Sequence, residues 1–184
     1  MKEFQPKWVL LGLCGIAVII VIVMMFTGLF TTEKKAIEKA TGAAKQEVKR
    51  EDVKVNKELD DISLYLPEKM AVISEESNNL ILQEDDQKYI LFYNPFEKQT
   101  NDTFYLSAKE AKDIRSISSF ELKDRFGYIR IIALDDNAYE LQVGVGGAKM
   151  TTETTKRAME EDARDMMKMV RSIQYTANQT SSSS

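Results

Sequence analysis

The stretch TETTKRAMEEDARDMMKMVRSI, residues 152–173, carries the clearest structural signal in the chain. Its apolar residues recur at spacings of four, three, four and three positions, which places them on one face of a helix. They are Met159, Ala163, Met166, Val170 and Ile173. Because an amphipathic helix must cover an apolar surface, we predict a helix over residues 152–173 packed on a sheet. The other methionines of this stretch are expected to fill the same core.

The residues before this helix form short apolar runs separated by turn residues. Alternation begins at Ile62 and stops at Pro67, as expected of a strand ended by a turn. We predict seven strands, at residues 62–66, 71–74, 79–83, 89–93, 120–123, 128–134 and 139–145. Residues 84–86 and 135–138 are rich in Asp and Asn, so we expect hairpin turns there rather than calcium loops, whose ligand spacing they lack.

A second, shorter helix is predicted over residues 107–117. Ser107 is followed three residues later by Glu110, which is the spacing of a capping box. The predicted fold class is therefore α+β, with about seven strands covered by a long C-terminal amphipathic helix and this shorter one. The globular domain is expected to cover residues 59–175, and a Ser-rich tail without a core, residues 176–184, follows it.

Residues 31–58 are rich in Ala, Lys and Glu and poor in aromatic side chains. Thr32 can cap a helix, and only a narrow apolar stripe follows, formed by Ile37, Ala40, Ala44 and Val48. We predict a charged, solvated helical stalk, with a coiled-coil dimer as an open alternative. The charge also changes here, because residues 1–58 hold 10 basic and 7 acidic side chains, and residues 59–184 hold 15 and 22.

Residues 8–30, WVLLGLCGIAVIIVIVMMFTGLF, contain no charged side chain. A helix of this length spans about 34 Å, enough for a hydrocarbon core of about 30 Å. A cleaved signal peptide would have a shorter apolar run ending in small residues, whereas this one continues through Phe26. Cys14 follows a sequence that faintly resembles a lipobox, but most of the apolar run comes after it. We expect one uncleaved transmembrane helix, preceded by a tail of residues 1–7.

Two arguments about the orientation of this helix oppose each other. Two lysines precede it and six basic residues follow within about 20 positions, which favours a cytoplasmic C-terminal side. A short tail, one span and a large following domain are instead typical of a signal anchor that exports the domain, and large domains cross largely regardless of charge. We expect an extracytoplasmic domain at the cell membrane, with the cytoplasmic orientation as the alternative.

The composition excludes several chemistries. The 184 residues include 25 Lys and Arg, 29 Asp and Glu, one Cys and no His, for a net charge of −4. His-based triads, His metal ligands and thiolate zinc sites are therefore excluded. The acidic balance argues against nucleic acid as a partner. We expect no enzymatic activity, no cofactor and no metal; a hydrolase that uses carboxylates alone is the last alternative.

The run Gly144-Val145-Gly146-Gly147-Ala148-Lys149 has the glycines and the lysine of a phosphate-binding loop. It lacks the Gly-Lys-Ser/Thr order that such a loop requires. We therefore interpret it as a flexible turn between the last strand and the last helix.

The order of the elements resembles that of PsbP-like and DcrB-like domains, small α/β sandwiches often carried behind a signal sequence or a membrane anchor. The resemblance covers residues 60–175. It is carried by Ile62-Ser63-Leu64-Tyr65-Leu66-Pro67, Asn79-Leu80-Ile81-Leu82, Asp135-Asp136-Asn137 and Met169-Val170-Arg171-Ser172-Ile173. Such domains are mostly non-enzymatic accessory or binding modules, and the resemblance implies the same here. It transfers no functional residue.

Aromatic residues flank a polar loop at residues 97–102. We take Phe96, Phe104 and Tyr105 as a candidate partner-binding loop, because loops on a rigid scaffold often carry function. The predicted function is that of a single-pass membrane-anchored accessory protein whose domain binds another envelope or membrane component without catalysis. The alternative is a small-ligand or lipid-binding domain with a pocket between the sheet and the C-terminal helix, lined by Met166 and Val170.

Overall fold

The computed structural model describes residues 31–51, 53–135 and 137–176. The predicted transmembrane helix, the tail before it and residues 177–184 lie outside the described residues. Within the described part of the chain, no helix combines the length and the apolar character needed to cross a bilayer. The chain divides into two compact units, Met1–Thr32 and Glu33–Ser184, and the elements below belong to the second.

The described residues contain three helices and ten strands. The helices are α1 (Glu33–Val48), α2 (Thr103–Ala108) and α3 (Met159–Arg171). The strands are β1 (Lys57–Glu58), β2 (Ile62–Leu64), β3 (Ala71–Glu76), β4 (Asn79–Glu84), β5 (Gln87–Tyr93), β6 (Ile114–Glu121), β7 (Phe126–Ala133), β8 (Ala138–Val145), β9 (Ala148–Thr155) and β10 (Gln174–Tyr175).

Seven of the strands form one antiparallel sheet in the order β3-β4-β5-β9-β8-β7-β6. Two meanders, β3 to β5 and β6 to β9, are joined where β5 pairs with β9. The α+β class, a seven-strand sheet and a C-terminal helix are therefore confirmed. The membership of the sheet differs from the prediction, because β2 lies in a separate three-stranded sheet between β1 and β10.

Strand β9 replaces the predicted flexible turn and the predicted start of the last helix. Its buried positions alternate strictly, but two of the four are threonines, Thr152 and Thr154. A strand whose inward face is half polar gives a weak hydrophobic signal, so the sequence suggested an early helix instead. The helix begins at Met159, and its first turn contains Glu160, Glu161 and Asp162, which the helix dipole favours.

The predicted helix over residues 107–117 is wrong. Helix α2 ends at Ala108, and strand β6 begins at Ile114 and pairs with β7, with a register shift between Ile114 and Ser116. Ser107 lies inside the helix rather than at its N-cap, so the capping-box spacing is accidental. The predicted strand at residues 120–123 is the end of β6.

The prediction of a solvated stalk at residues 31–58 is also wrong. Helix α1 is present, but its alanine face is buried: Ala36, Ala40, Ala43 and Ala44 are at most 5% exposed, and Val48 is 0% exposed. The helix packs against α3 and over β6 and β7. Gly127 of β7 makes room for it, because a Cβ there would lie 2.7 Å from Cγ2 of Val48. Small side chains permit this close approach but give a narrow hydrophobic stripe in the sequence.

The core lies between the sheet and the elements on its inner face. Helix α3 covers β8 and β9, and its four methionines, at positions 159, 166, 167 and 169, are 0% exposed, which confirms their predicted role. On the β4–β5 side, Ile62 and Leu64 of the small sheet join the same core. The ring centroids of Tyr93 in β5 and Tyr175 in β10 lie 6.3 Å apart.

Candidate partner-binding surface

The candidate site lies on the outer face of the main sheet, opposite α1 and α3. Directly paired residues of neighbouring strands share a face, so the register defines which side chains point outward. One outward row crosses six strands and consists of Ile81, Ile90, Thr151, Gln142, Arg130 and Ile117.

Residues 94–108, which include α2, fold over part of this face. The rings of Phe104 and Phe92 meet edge to face, with centroids 5.6 Å apart. Lys149 Nζ lies 4.9 Å from the centroid of Phe104. Tyr105 packs against Phe126 and Tyr128, at centroid distances of 5.4 and 6.0 Å. Phe104 and Tyr105 are therefore half-buried anchors that attach this segment to the sheet.

The glycine-rich run is the platform on which the loop docks. Gly146 has φ +53° and forms the β8–β9 turn, and its N–H donates to Phe126 O at 2.9 Å. Asn94 N–H donates to Gly147 O at 2.8 Å. A Cβ on Gly147 would lie only 2.4 Å from Cβ of Glu97. The glycines thus serve a tight hairpin and a close backbone contact, which accounts for them without a phosphate ligand.

Side-chain hydrogen bonds fix the shape of the loop itself. Asn94 Oδ1 accepts from Phe96 N–H at 3.1 Å, and Asn101 Oδ1 accepts from Thr103 N–H at 2.7 Å. The amide of Asn101 also donates to the carboxylate of Glu97. These contacts leave Phe96 71% exposed and Leu106 of α2 51% exposed. The loop therefore presents two large apolar side chains to solvent from a constrained backbone.

A second exposed apolar group lies on the other half of the outer face. Ile90 is 53% exposed beside the half-buried Ile81, and Ile73 is 55% exposed at a bulge in β3. Strand alternation in the sequence places Ile81 and Ile90 on one face. It does not reveal which face the helices cover, so sequence reasoning missed this group.

Beneath α2, a polar network crosses the outer face. Tyr128 OH donates to Gln142 Oε1 at 2.9 Å, and Gln142 Nε2 donates to Thr151 Oγ1 at 3.1 Å. Burial raises the pKa of the Tyr128 hydroxyl further above neutral pH. Arg130 pairs with the carboxylate of Glu140. The network keeps Tyr128, Gln142 and Thr151 hydrogen-bonded under the loop, whereas Arg130 Nε is buried without a hydrogen-bond partner among the described residues.

A buried carboxylate joins the start of α3 to the sheet. Asp162 is 5% exposed; it accepts from Tyr89 OH at 3.0 Å and from Gln87 Nε2 at 3.2 Å, and the Thr154 hydroxyl also donates to it. Burial and the Asp162 charge raise the pKa of Tyr89. Asp162 is thus hydrogen-bonded to side chains of β5 and β9, and these bonds fix the position of α3 on the sheet.

Asp85 and Asp86 form the β4–β5 turn and Asp135 lies between β7 and β8, as predicted, whereas Glu84 is the last residue of β4 and Asp136 lies outside the described residues. Asp85 adopts a left-handed conformation in the β4–β5 turn, with φ +49°. Asp135 Oδ1 accepts from Asn137 N–H at 2.9 Å and from Ala138 N–H at 2.8 Å, and these bonds lower its pKa. In the described ranges, no group of three or more His, Cys, Asp or Glu side chains is arranged to hold a metal ion.

The space between the sheet and α3, where the ligand-binding alternative places a pocket, is filled with side chains. Met166 and Val170 are 0% and 1% exposed and belong to the hydrophobic core. An open depression of about 600 Å³ lies instead beside the first turn of α3, lined by Gln87, Glu153, Thr154 and neighbouring residues.

Comparison with known proteins adds no relative to this picture. No protein-family model matches the chain, and no curated protein sequence matches it.

Proposed function

We propose that this chain is a single-pass membrane-anchored accessory protein, with its globular domain outside the cytoplasm, which binds another protein of the envelope or membrane without catalysis. The apolar segment of residues 8–30 supports the anchor. A tether raises the effective concentration of the domain near a partner in the same membrane, so a modest interface is sufficient. The resemblance to PsbP-like and DcrB-like domains agrees with a binding role.

The observation that carries the binding proposal is the exposure of Phe96 on a constrained loop. A large aromatic side chain that is 71% exposed gains free energy when a partner covers it. Because hydrogen bonds and the glycine hairpin already order the backbone around it, binding costs little additional conformational entropy. Such preordered aromatic residues are typical anchors at the centres of protein interfaces.

Site-specific photocrosslinking in intact cells tests this proposal. A photoreactive amino acid at Leu106 is expected to give a crosslinked adduct of defined mass, and Phe96→Ala is expected to abolish it. The same photoreactive group at Glu68, an exposed residue away from the loop, is the matched control. Phe96→Ala should leave the folding stability within about 0.5 kcal/mol, because the side chain is exposed. An adduct that persists in Phe96→Ala would contradict the assignment of this loop.

The orientation is tested separately. A reporter enzyme that is active only outside the cytoplasm, fused after Ser184, is expected to be active. Normal expression of an inactive fusion would place the domain in the cytoplasm and would change the set of reachable partners.

A further inference from the structure

The solvent-exposed face of α1 is strongly basic. At 100° per residue, Lys34, Lys35, Lys39 and Lys45 fall within one arc of the helix, opposite the buried alanines, and Lys49 follows directly after the last residue of the helix. All five are exposed. We call this set the lysine stripe. It extends over a helix of 16 residues, which is about 24 Å long.

Acidic groups offset part of this charge. On α1 itself, Glu33 lies 3.5 Å from Arg115, Glu38 lies 3.9 Å from Lys34, and Glu47 is buried against Arg171. From the neighbouring helix, Glu160 pairs with Lys39 at 3.1 Å. Glu161 and Asp165 of that helix pair with Lys69 instead. A local cationic surface therefore lies on a protein whose net charge is −4.

The lysine stripe also starts close to the proposed membrane anchor. The apolar segment ends at Phe30 and α1 begins at Glu33, so two residues lie between them. The three residue steps from Phe30 to Glu33 span at most about 11 Å. This is comparable with the distance of about 8 to 10 Å over which charges interact at physiological salt. If the segment is embedded, the first turn of α1 lies within electrostatic reach of the headgroups.

We propose that the lysine stripe binds anionic phospholipid headgroups, so that α1 lies along the bilayer surface. This inference rests on the membrane anchor of the proposed function. Each lysine held at an anionic surface shifts the ratio of docked to undocked protein about fivefold, and several act together. The outer face of the sheet, with Phe96, is on the side opposite α1, so docking would direct the partner-binding loop away from the lipid.

The test uses the full-length chain in vesicles. A fluorophore is attached at Gln46→Cys, in the exposed arc of α1, in a Cys14→Ser background, and quencher groups are placed on lipid headgroups. We expect stronger quenching in vesicles with about one third phosphatidylglycerol than in pure phosphatidylcholine, and loss of the difference at about 1 M salt. A fluorophore at Thr100→Cys, an exposed loop position, should show no difference.

Charge variants identify the surface responsible. The combined substitution Lys34→Gln, Lys35→Gln, Lys45→Gln and Lys49→Gln is expected to abolish the lipid dependence. Its matched control removes four exposed lysines elsewhere, namely Lys88→Gln, Lys98→Gln, Lys112→Gln and Lys123→Gln, and should retain it.

Two further results distinguish failure of the inference from failure of the anchor. Retention of the chain in vesicles after alkaline extraction, with equal quenching in both lipids, would overturn lipid docking alone; an acidic protein as the true partner of the stripe would give this result. Extraction of the chain at alkaline pH would overturn the anchor and, with it, the docking.

Discussion

Glu47 and Arg171 form an ion pair that is almost completely buried. Arg171 Nη2 and Nε lie 2.7 and 3.1 Å from Glu47 Oε1, and both side chains are 2% exposed. Arg171 Nη1 also donates to Arg50 O at 2.8 Å. The two residues are 124 positions apart, so the sequence shows Glu47 only as a neighbour of Arg50 on a supposed stalk. Burial of both charges is tolerated because they pair with each other, and Glu47 Oε2 also lies 3.1 Å from Arg50 Nη1.

Replacing one residue of this ion pair should therefore lower the free energy of unfolding far more than replacing both. We expect Arg171→Met to lower the free energy of unfolding by about 3 kcal/mol, because the buried Glu47 carboxylate then keeps only Arg50, whose Nη1 lies 3.1 Å from Oε2. The double variant Glu47→Leu with Arg171→Met should recover much of this loss. Urea unfolding followed by circular dichroism measures both. Additive effects of the two single substitutions would contradict the pairing.

Glu160 gives a pH-dependent prediction. The hydrogen bond from Lys39 holds the pKa of Glu160 below its ordinary value near 4.5. A carboxyl group with a lowered folded-state pKa stabilises the fold above the unfolded-state value, and the contribution disappears as pH falls through the folded-state pKa. We expect Lys39→Gln to raise the pKa of Glu160 and to cost less than about 1 kcal/mol at neutral pH, since the pair is exposed.

Carboxyl NMR titration measures this pKa, and unfolding at several pH values measures the stability. The stability difference between Lys39→Gln and the wild type should vanish in acid. Lys39→Arg, which keeps the charge, is the control and should retain the low pKa. An unchanged Glu160 pKa in Lys39→Gln would show that Lys39 is not its cause.

At the scale of elements, the quality of the sequence prediction follows the size and polarity of the buried residues. Helix α3 buries methionines at regular spacing, and its face was predicted correctly. Helix α1 buries alanines, which contribute little to a hydrophobic pattern, and was mistaken for a solvated stalk. Strand β9 buries Thr152 and Thr154 and was missed for the same reason. Burial by small or polar side chains depends on tertiary contacts that periodicity does not report.

Alanine substitutions at two glycines in different elements should change the stability of the protein in opposite directions. Gly42 lies in α1, and a Cβ there would meet nothing within 4 Å. We expect Gly42→Ala to stabilise the protein by about 0.5 to 1 kcal/mol through helix propensity. At Gly147 a Cβ would lie 2.8 Å from Asn94 O, so Gly147→Ala should displace the loop and cost about 1 to 3 kcal/mol. Urea unfolding measures the change in the free energy of unfolding for both variants. Destabilisation by Gly42→Ala would contradict the environment described for α1.

The candidate loop was only partly predictable for a related reason. Aromatic residues at positions 96, 104 and 105 look alike in sequence, yet Phe104 and Tyr105 pack on the sheet and Phe96 is exposed. The difference arises from the β8–β9 hairpin, which holds residues 94–102 against Gly146 and Gly147. The contact partners are about 50 positions apart, so no local pattern encodes the exposure of Phe96.

At the scale of the whole molecule, the first and the last elements of the described residues pack against each other. Helices α1 and α3 run side by side, with Lys39 paired to Glu160 and Glu47 to Arg171, so they are parallel. Strand β10, near the end of the described chain, pairs antiparallel with β2, near its beginning. The residues between them form the main sheet. The predicted boundary near residue 58 therefore cuts through the core rather than through a linker.

Truncation tests this boundary. A chain that begins at residue 31 is expected to unfold cooperatively, because it keeps α1. A chain that begins at residue 59 should lose about 4 kcal/mol or more, since it exposes the surface under Val48 and leaves Arg171 without Glu47. The stabilities of the two chains are compared by thermal and urea unfolding and by their susceptibility to proteolysis. Equal stability of the two chains would restore the stalk interpretation.

The parallel contact between the first and last helices has a consequence for synthesis. The ribosome makes α1 more than 100 residues before α3, so the alanine face stays uncovered until α3 has been made. Contacts between such distant positions close slowly, because the long intervening chain must be ordered first. A product interrupted before residue 159 would never cover that face, and quality-control proteases that recognise exposed apolar segments would remove it. The fold of this domain is thus complete only after α3 has been made.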